Sequence, residues 1–166
     1  MAHSPIVAIG ASHASVQLAA SLRQAGYCGD LVIVGAEPHL PYNRPPLSKT
    51  LLTQQVSFDK TLLRQQSFYD QHNIQLKLGA RVKSISRKSN QVTLDSDETI
   101  AYSKLVIATG ADPIMLNLPG EQLEGIGYLR NYDDTQTLIP SIEEGKSAVV
   151  VGGGYIGLET AAALRK

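Results

Sequence analysis

Two glycine turns carry the first chemical signal in this chain. One reads Gly10-Ala11-Ser12-His13-Ala14-Ser15, the other Gly152-Gly153-Gly154-Tyr155-Ile156-Gly157. Each follows an apolar run and precedes a helical pattern, and they lie about 140 residues apart. In such a turn the first glycine permits a tight bend, the second lets backbone approach a pyrophosphate, and the third lets helix and strand pack closely. The phosphates then meet the positive end of the helix. Gly152, Gly154 and Gly157 fill all three positions, with Tyr155 and Ile156 between the last two, and read as a dinucleotide turn rather than a plain strand–helix connection. The earlier turn keeps Gly10 but has Ser12 and Ser15 at the other two positions. Ser15 is small enough for helix packing. Ser12 brings a Cβ toward the pyrophosphate, although its hydroxyl can donate a hydrogen bond. Glu37 supports a nucleotide here, because it falls about 20 residues past the turn at a strand end, where an acidic side chain bonds ribose hydroxyls. Its alternative role is a solvated strand-end carboxylate. Two dinucleotides in one chain point to electrons passing from one to the other.

These residues need elements to hold them. Residues 5–9 are nearly all apolar, as expected of a strand buried on both faces. Residues 13–25 carry Val16, Ala19, Ala20 and Leu22 at helical spacing, with Gly26 as the stop. Leu31–Val34 is the next buried strand, completing a β-α-β unit with a right-handed crossover. The proline-rich stretch from Pro38 to Pro46 excludes a central strand or a helix interior. Short helical pieces are expected within 47–72, one from Leu47 and one around Ser67–His72. Several short strands are expected over 74–108, broken at Gly79 and Asn90 and closing with Leu105–Ala108. Residues 112–127 read as a crossing segment rich in Pro and Gly. A helix over 131–144 is capped by Asn131 or Asp133. A strand at Ala148–Val151 and a helix over 154–166 follow.

Composition narrows the classes. At 43% apolar and 18% charged residues the chain is that of a globular domain, and its formal charge of +0 argues against a nucleic-acid binder relying on a basic face. No apolar run is long enough to span a bilayer, so no membrane is expected. No signal-like segment is seen at the start. The single cysteine, Cys28, cannot form an internal disulfide, and a reducing, cytoplasmic setting is expected. The histidines at 3, 13, 39 and 72 have no metal-ligand spacing, so no metal site is expected.

The most specific run is Gly35-Ala36-Glu37-Pro38-His39-Leu40-Pro41-Tyr42-Asn43-Arg44-Pro45-Pro46-Leu47-Ser48-Lys49. Three others follow in order: Leu105-Val106-Ile107-Ala108-Thr109-Gly110-Ala111, Tyr128-Leu129-Arg130-Asn131-Tyr132-Asp133-Asp134, and Val149 to Glu159. Together they resemble the ferredoxin reductase branch of the FAD-dependent pyridine nucleotide-disulfide oxidoreductases. That branch includes reductases serving Rieske oxygenases, putidaredoxin and rubredoxin reductases, and apoptosis-inducing-factor-like proteins. The resemblance covers the whole chain but only the opening part of a typical member. It implies an α/β fold: a Rossmann-like FAD-binding domain, with a parallel sheet, helices and a small antiparallel part, then the start of a second Rossmann-like domain for NAD(P)H. The boundaries it implies are 1–111 for the first segment of the FAD domain and 112–166 for the opening of the NAD(P) domain.

The resemblance also implies residue roles. Gly10, Ser12, Ala14, Glu37, Arg44, Lys49, Val82, Ala108, Thr109, Gly110 and Arg130 match FAD-contacting positions. Gly152, Gly154, Tyr155, Ile156 and Gly157 belong to the NAD(P)H turn. Lys49 is placed near the flavin ring and Glu159 near nicotinamide and flavin, as the catalytic pair. A cation beside the flavin stabilises the negative charge that reduction brings, and pairing would keep both side chains charged. The other roles open to them are a solvated lysine at a helix start and a carboxylate favoured by the helix dipole.

This chain departs from the branch at Ser12, Ser15 and Ala36, where glycines and often an acidic residue are usual. It also lacks the Cys-x4-Cys pair, or the single cysteine, of disulfide-handling relatives, having Pro45, Pro46, Leu47 and Ser48 in that region. Electrons must then leave to an external acceptor. The expected activity is that of an NAD(P)H:ferredoxin or rubredoxin reductase: hydride from NAD(P)H to FAD, then single electrons to a small iron–sulfur protein. Two rivals stand beside it, an apoptosis-inducing-factor-like signalling flavoprotein and a non-functional truncated fragment. The chain is expected to be an incomplete piece that by itself holds FAD weakly.

Overall fold

The computed structural model describes residues 4–142 and 146–165. The chain divides into two compact units, one formed by Met1–Asn43 with Leu62–Gly110, the other by Arg44–Thr61 with Ala111–Lys166.

The first unit is built on a four-stranded parallel sheet. Its strands are β1 (Ile6–Ile9), β2 (Leu31–Val34), β3 (Ile74–Lys77) and β7 (Lys104–Ile107), in the order β3-β2-β1-β7. Ile6 pairs with Leu31 on one side and Lys104 on the other. The helix α1 (His13–Gln24) joins β1 to β2, and Tyr27 N–H closes its end on the Leu22 carbonyl at 2.9 Å. The short helix α2 (Gln66–Gln71) precedes β3. Alternation along the strands feeds two cores. Ala8, Leu31, Ile33 and Ile74 pack with Val16 and Ala19 of α1 and Tyr69 of α2. Val7, Ile9, Val32 and Val34 pack on the opposite face with Val92, Leu94, Ile100 and Tyr102. Those partners belong to, or directly follow, a three-stranded antiparallel sheet of β4 (Val82–Ser86), β5 (Gln91–Leu94) and β6 (Thr99–Ala101). Burial on both faces is why the β1 and β2 sequences are unbroken apolar runs. Each fully buried side chain of this kind contributes about 1.5–3 kcal/mol.

The arrangement is the Rossmann-like parallel sheet with a small antiparallel part that the sequence predicts. The helix predicted over 13–25 ends one residue early, with Ala25 as its C-cap.

In the second unit the prolines open a 3-10 turn, Pro45–Ser48. Pro suits the first helical positions because its missing N–H has no partner to lose there. A second 3-10 turn spans Phe58–Thr61, and Phe58 packs on Tyr132 with ring centroids 4.0 Å apart. The helix α3 (Tyr132–Leu138) and the helix α4 (Tyr155–Leu164) both pack on the Pro45–Ser48 turn.

Three sequence expectations are corrected here. The helix predicted over 131–144 ends at Leu138 and continues only as a 3-10 turn, Ile139–Ser141. Pro140 removes an N–H from the ladder there. The last residues of that prediction, 143 and 144, lie outside the described residues, as do His3 and Lys166. Residues 148–151 form no strand: every described strand lies in the first unit and pairs there. Val149 and Val151 are consequently exposed. Gly154 is the N-cap of α4 rather than its first residue.

Candidate functional site

The first unit gathers part of its candidate set around the β1–α1 turn. Gly10 has φ +107°, and a Cβ there would lie 2.1 Å from the Ala108 carbonyl oxygen and 3.1 Å from the Thr109 Cα. Only glycine lets the turn press on the end of β7. Its N–H donates to the Val34 carbonyl at 2.8 Å, so the bend is tied to β2 as well. Gly10, Ala108 and Thr109 are thus brought together, with Gly110 following, also at positive φ. Ser12 is the N-cap of α1, but its side chain makes no capping hydrogen bond, and α1 has no acidic residue in its first turn. Ala14 is exposed in that first turn. Glu37, half-buried just past β2, accepts from the Tyr42 hydroxyl. Val82 lies on a different element. It opens β4, pairs with Leu94 and packs against the core on the antiparallel-sheet side.

The second unit repeats the turn geometry. Gly152 has φ +114°, and a Cβ on Gly157 would lie 2.2 Å from the Gly152 carbonyl oxygen. Helix α4 therefore starts tight against its own turn. It too has no side-chain cap and no acidic residue in its first turn. Helix α3 shows the contrast: Asn131 Oδ1 accepts from Asp134 N–H at 2.8 Å, and Asp134 Oδ2 accepts from Asn131 N–H at 2.9 Å. That capping box claims two donors at the start of α3 and sets Asp133 and Asp134 in its first turn, which disfavours an anion, whereas the starts of α1 and α4 have neither a side-chain cap nor an acidic residue there. Both glycine turns fit a pyrophosphate by this test.

A cleft of about 250 Å³ within the second unit is lined by Arg44, Leu47, Ser48, Tyr155, Ile156 and Glu159 among others. Arg44 donates to the Arg130 carbonyl at 3.1 Å, and Arg130 N–H donates to Asp134 Oδ2 at 2.7 Å. The α3 cap therefore also fixes the backbone that receives Arg44. Lys49 Nζ lies 3.1 Å from Glu159 Oε1. The other carboxylate oxygen, Oε2, accepts from Ser48 Oγ at 2.7 Å. The Ser48 hydroxyl, helped by the Lys49 ammonium, holds the Glu159 carboxyl below the usual carboxylate range.

Ser48, Tyr42 and Asn43 are the site residues that sequence reasoning missed. Asn43 Oδ1 lies 2.9 Å from His13 Nε2, beside the first glycine turn. All three fall inside the run from Gly35 to Lys49, but nothing in their spacing names a partner. Among the described residues no cluster of three His, Cys, Asp or Glu could hold a metal ion, and no helix is long and apolar enough to cross a membrane.

A model of the pyridine nucleotide-disulphide oxidoreductase family matches residues 4–166. The chain belongs to that family. Within it, the chain is 38% identical over 164 residues to a ferredoxin--NAD(P)(+) reductase of Sphingomonas sp, covering 99% of this chain and 40% of the relative. It is 42% identical over 161 residues to the rhodocoxin reductase of Rhodococcus erythropolis, covering 97% and 38%. Its fold matches the crystal structure of the covalent putidaredoxin reductase–putidaredoxin complex with a TM-score of 0.93 at 34% identity, covering 99% of this chain and 40% of that one. The chain thus spans about two-fifths of the length of the family members it matches.

Proposed function

We propose that the protein carrying this chain is an FAD-dependent NAD(P)H reductase that delivers electrons to a small iron–sulfur protein of the ferredoxin or rubredoxin class. The observation that carries this reading is the Lys49–Glu159 pair, 3.1 Å apart beside a Pro45–Ser48 turn that carries no thiol. FAD, when bound, would supply hydride acceptance from NAD(P)H and single-electron release, chemistry that no side chain supplies.

The chain's own residues bind, orient and set charge. The turn from Gly10 to Ser15, with Ala14, Glu37, Ala108, Thr109 and Gly110, is assigned to FAD. Its uncapped helix start receives the pyrophosphate, and Glu37 receives the ribose. Arg44, Lys49, Val82 and Arg130 are assigned to the same cofactor. The turn from Gly152 to Gly157, with Tyr155 and Ile156, is assigned to NAD(P)H. Lys49 supplies positive charge where reduction adds negative charge, and Glu159 holds its ammonium in place. The domain boundaries we adopt are 1–111 and 112–166, and the setting is cytoplasmic, in keeping with the free, exposed Cys28.

The test is to purify the protein carrying this chain and record its visible spectrum. NADH or NADPH is then added, with a ferredoxin, a rubredoxin or glutathione disulfide as acceptor. Flavin absorption and carrier-dependent turnover are expected. Robust disulfide reduction without a carrier would overturn the reading.

A further inference from the structure

The Lys49–Glu159 pair joins two long, partly exposed side chains, 48% and 33% accessible. An ion pair of that kind is loosely held in water. Ser48 differs from both. It is 2% exposed and ends a 3-10 turn opened by two prolines. Leu51 N–H closes back on the Pro46 carbonyl at 2.9 Å, and Leu47, Leu51 and Leu52 of the same segment are buried. A buried hydroxyl requires a partner, and this one donates to Glu159 Oε2 at 2.7 Å, from 111 positions away. Glu159 is the fifth residue of α4, beyond the first turn where the helix dipole acts.

We infer that Ser48 is a positioning residue: its rigid hydroxyl fixes the plane of the Glu159 carboxylate, so that the remaining oxygen presents a constant acceptor to Lys49. The inference rests on the reductase reading for its purpose, but not for its geometry. A carboxylate oxygen accepts from a hydroxyl more strongly than a protonated carboxyl does, so the contact also favours ionised Glu159. The charged and titratable groups around the carboxylate are Lys49, with Arg44 and Tyr155 on the same cleft. Arg44 Nη1 donates to the Arg130 carbonyl, while Ser48 and Lys49 meet the two oxygens of Glu159.

The test uses the full chain labelled with carboxyl-13C glutamate, the Glu159 signal being assigned by its loss in Glu159→Gln. The Glu159 titration midpoint is expected to rise in Ser48→Ala and to stay low in Ser48→Thr, which keeps the hydroxyl. Should the added methyl not fit the buried site, Ser48→Cys, close in size and a weak donor, gives an intermediate midpoint. In the flavin-loaded protein, rapid mixing with NADH or NADPH should show cofactor reduction slowed several-fold in Ser48→Ala. The acid limb of its pH profile should move upward, and Ser48→Thr should restore both. A midpoint unmoved by Ser48→Ala, or Ala and Thr variants that behave alike, overturns the inference. So does a flavin reduced as fast in Ser48→Ala as in the parent, which would leave the reductase reading standing. A parent protein that takes up no flavin would instead remove the reductase reading, while the Glu159 midpoint still decides what Ser48 does.

Discussion

Gly10 and Ala108 meet so closely that a Cβ on the glycine would lie 2.1 Å from the alanine's carbonyl oxygen. The contact joins the end of β1 to the end of β7, and the glycine holds φ +107°. Gly10→Ala must therefore move backbone, not a flexible side chain. A loss of stability of about 2 kcal/mol or more is expected, from strain and from the clash together. Urea unfolding of the variant beside the parent measures it, and an unchanged midpoint would refute the close approach.

Ser12 caps α1 in position only, since its hydroxyl makes no capping bond. Ser12→Gly should cost the fold no more than a few tenths of a kcal/mol. It removes the Cβ that faces the proposed pyrophosphate. A flavin titration of the protein carrying this chain should show binding several-fold tighter than in the parent. Weaker or equal binding would mean that the serine hydroxyl holds the phosphate itself.

Arg23 staples the first unit through four backbone carbonyls. Its guanidinium donates to Tyr27, Gly29, His72 and Asn73 at 2.7–2.9 Å. The last two are 49 and 50 positions away, where α2 passes into β3. Arg23→Met keeps the apolar stem and removes every donor. A destabilisation of about 2–3 kcal/mol is expected, because carbonyls tuned to a charged donor lose it together. Thermal unfolding of Arg23→Met and Arg23→Lys tests it, with Lys recovering only part of the loss since it cannot match the fork.

Tyr69 is fully buried with its hydroxyl unpartnered, and burial pushes its pKa up to about 12. An acid whose pKa is higher folded than unfolded binds more protons in the folded state above its ordinary value of 10.0. Its contribution is therefore complete below pH 10 and is lost as pH rises toward 12. Tyr69→Phe should abolish that part of the alkaline decline. It should also stabilise the chain at neutral pH by about 1 kcal/mol, by removing an unsatisfied hydroxyl. Unfolding free energies at pH 7 and across pH 10–12 check both; a neutral-pH loss would show that the hydroxyl has a partner in solution.

Much of the first unit can be read along the chain because its determinants are local. Leu31–Val34 is a strand as expected because four apolar residues between polar breaks must be buried on both faces. Asn131 caps α3 because Asp134 sits three residues on, the spacing a capping box requires. The misreadings arise where a residue's state depends on something distant. Ala148–Val151 has the composition of a strand, but a strand exists only through its partner's hydrogen bonds. Val82 alternates correctly for a strand, yet the alternation does not say that it packs on the face opposite α1.

The candidate site divides in the same way. Residue types and spacing marked the two glycine turns and Glu37 as candidates, because a dinucleotide demands bends, bare backbone and an acid at set intervals, whereas the run ending in Lys49 stood out by its family resemblance. The tertiary structure alone decided that Ser48 shares the Glu159 carboxylate with Lys49, and that Gly10 lies against Ala108. Those contacts join residues far apart in the chain. They form only when independently folded segments bring a donor within hydrogen-bond reach of an acceptor, or one backbone against another, and no local pattern records that distance.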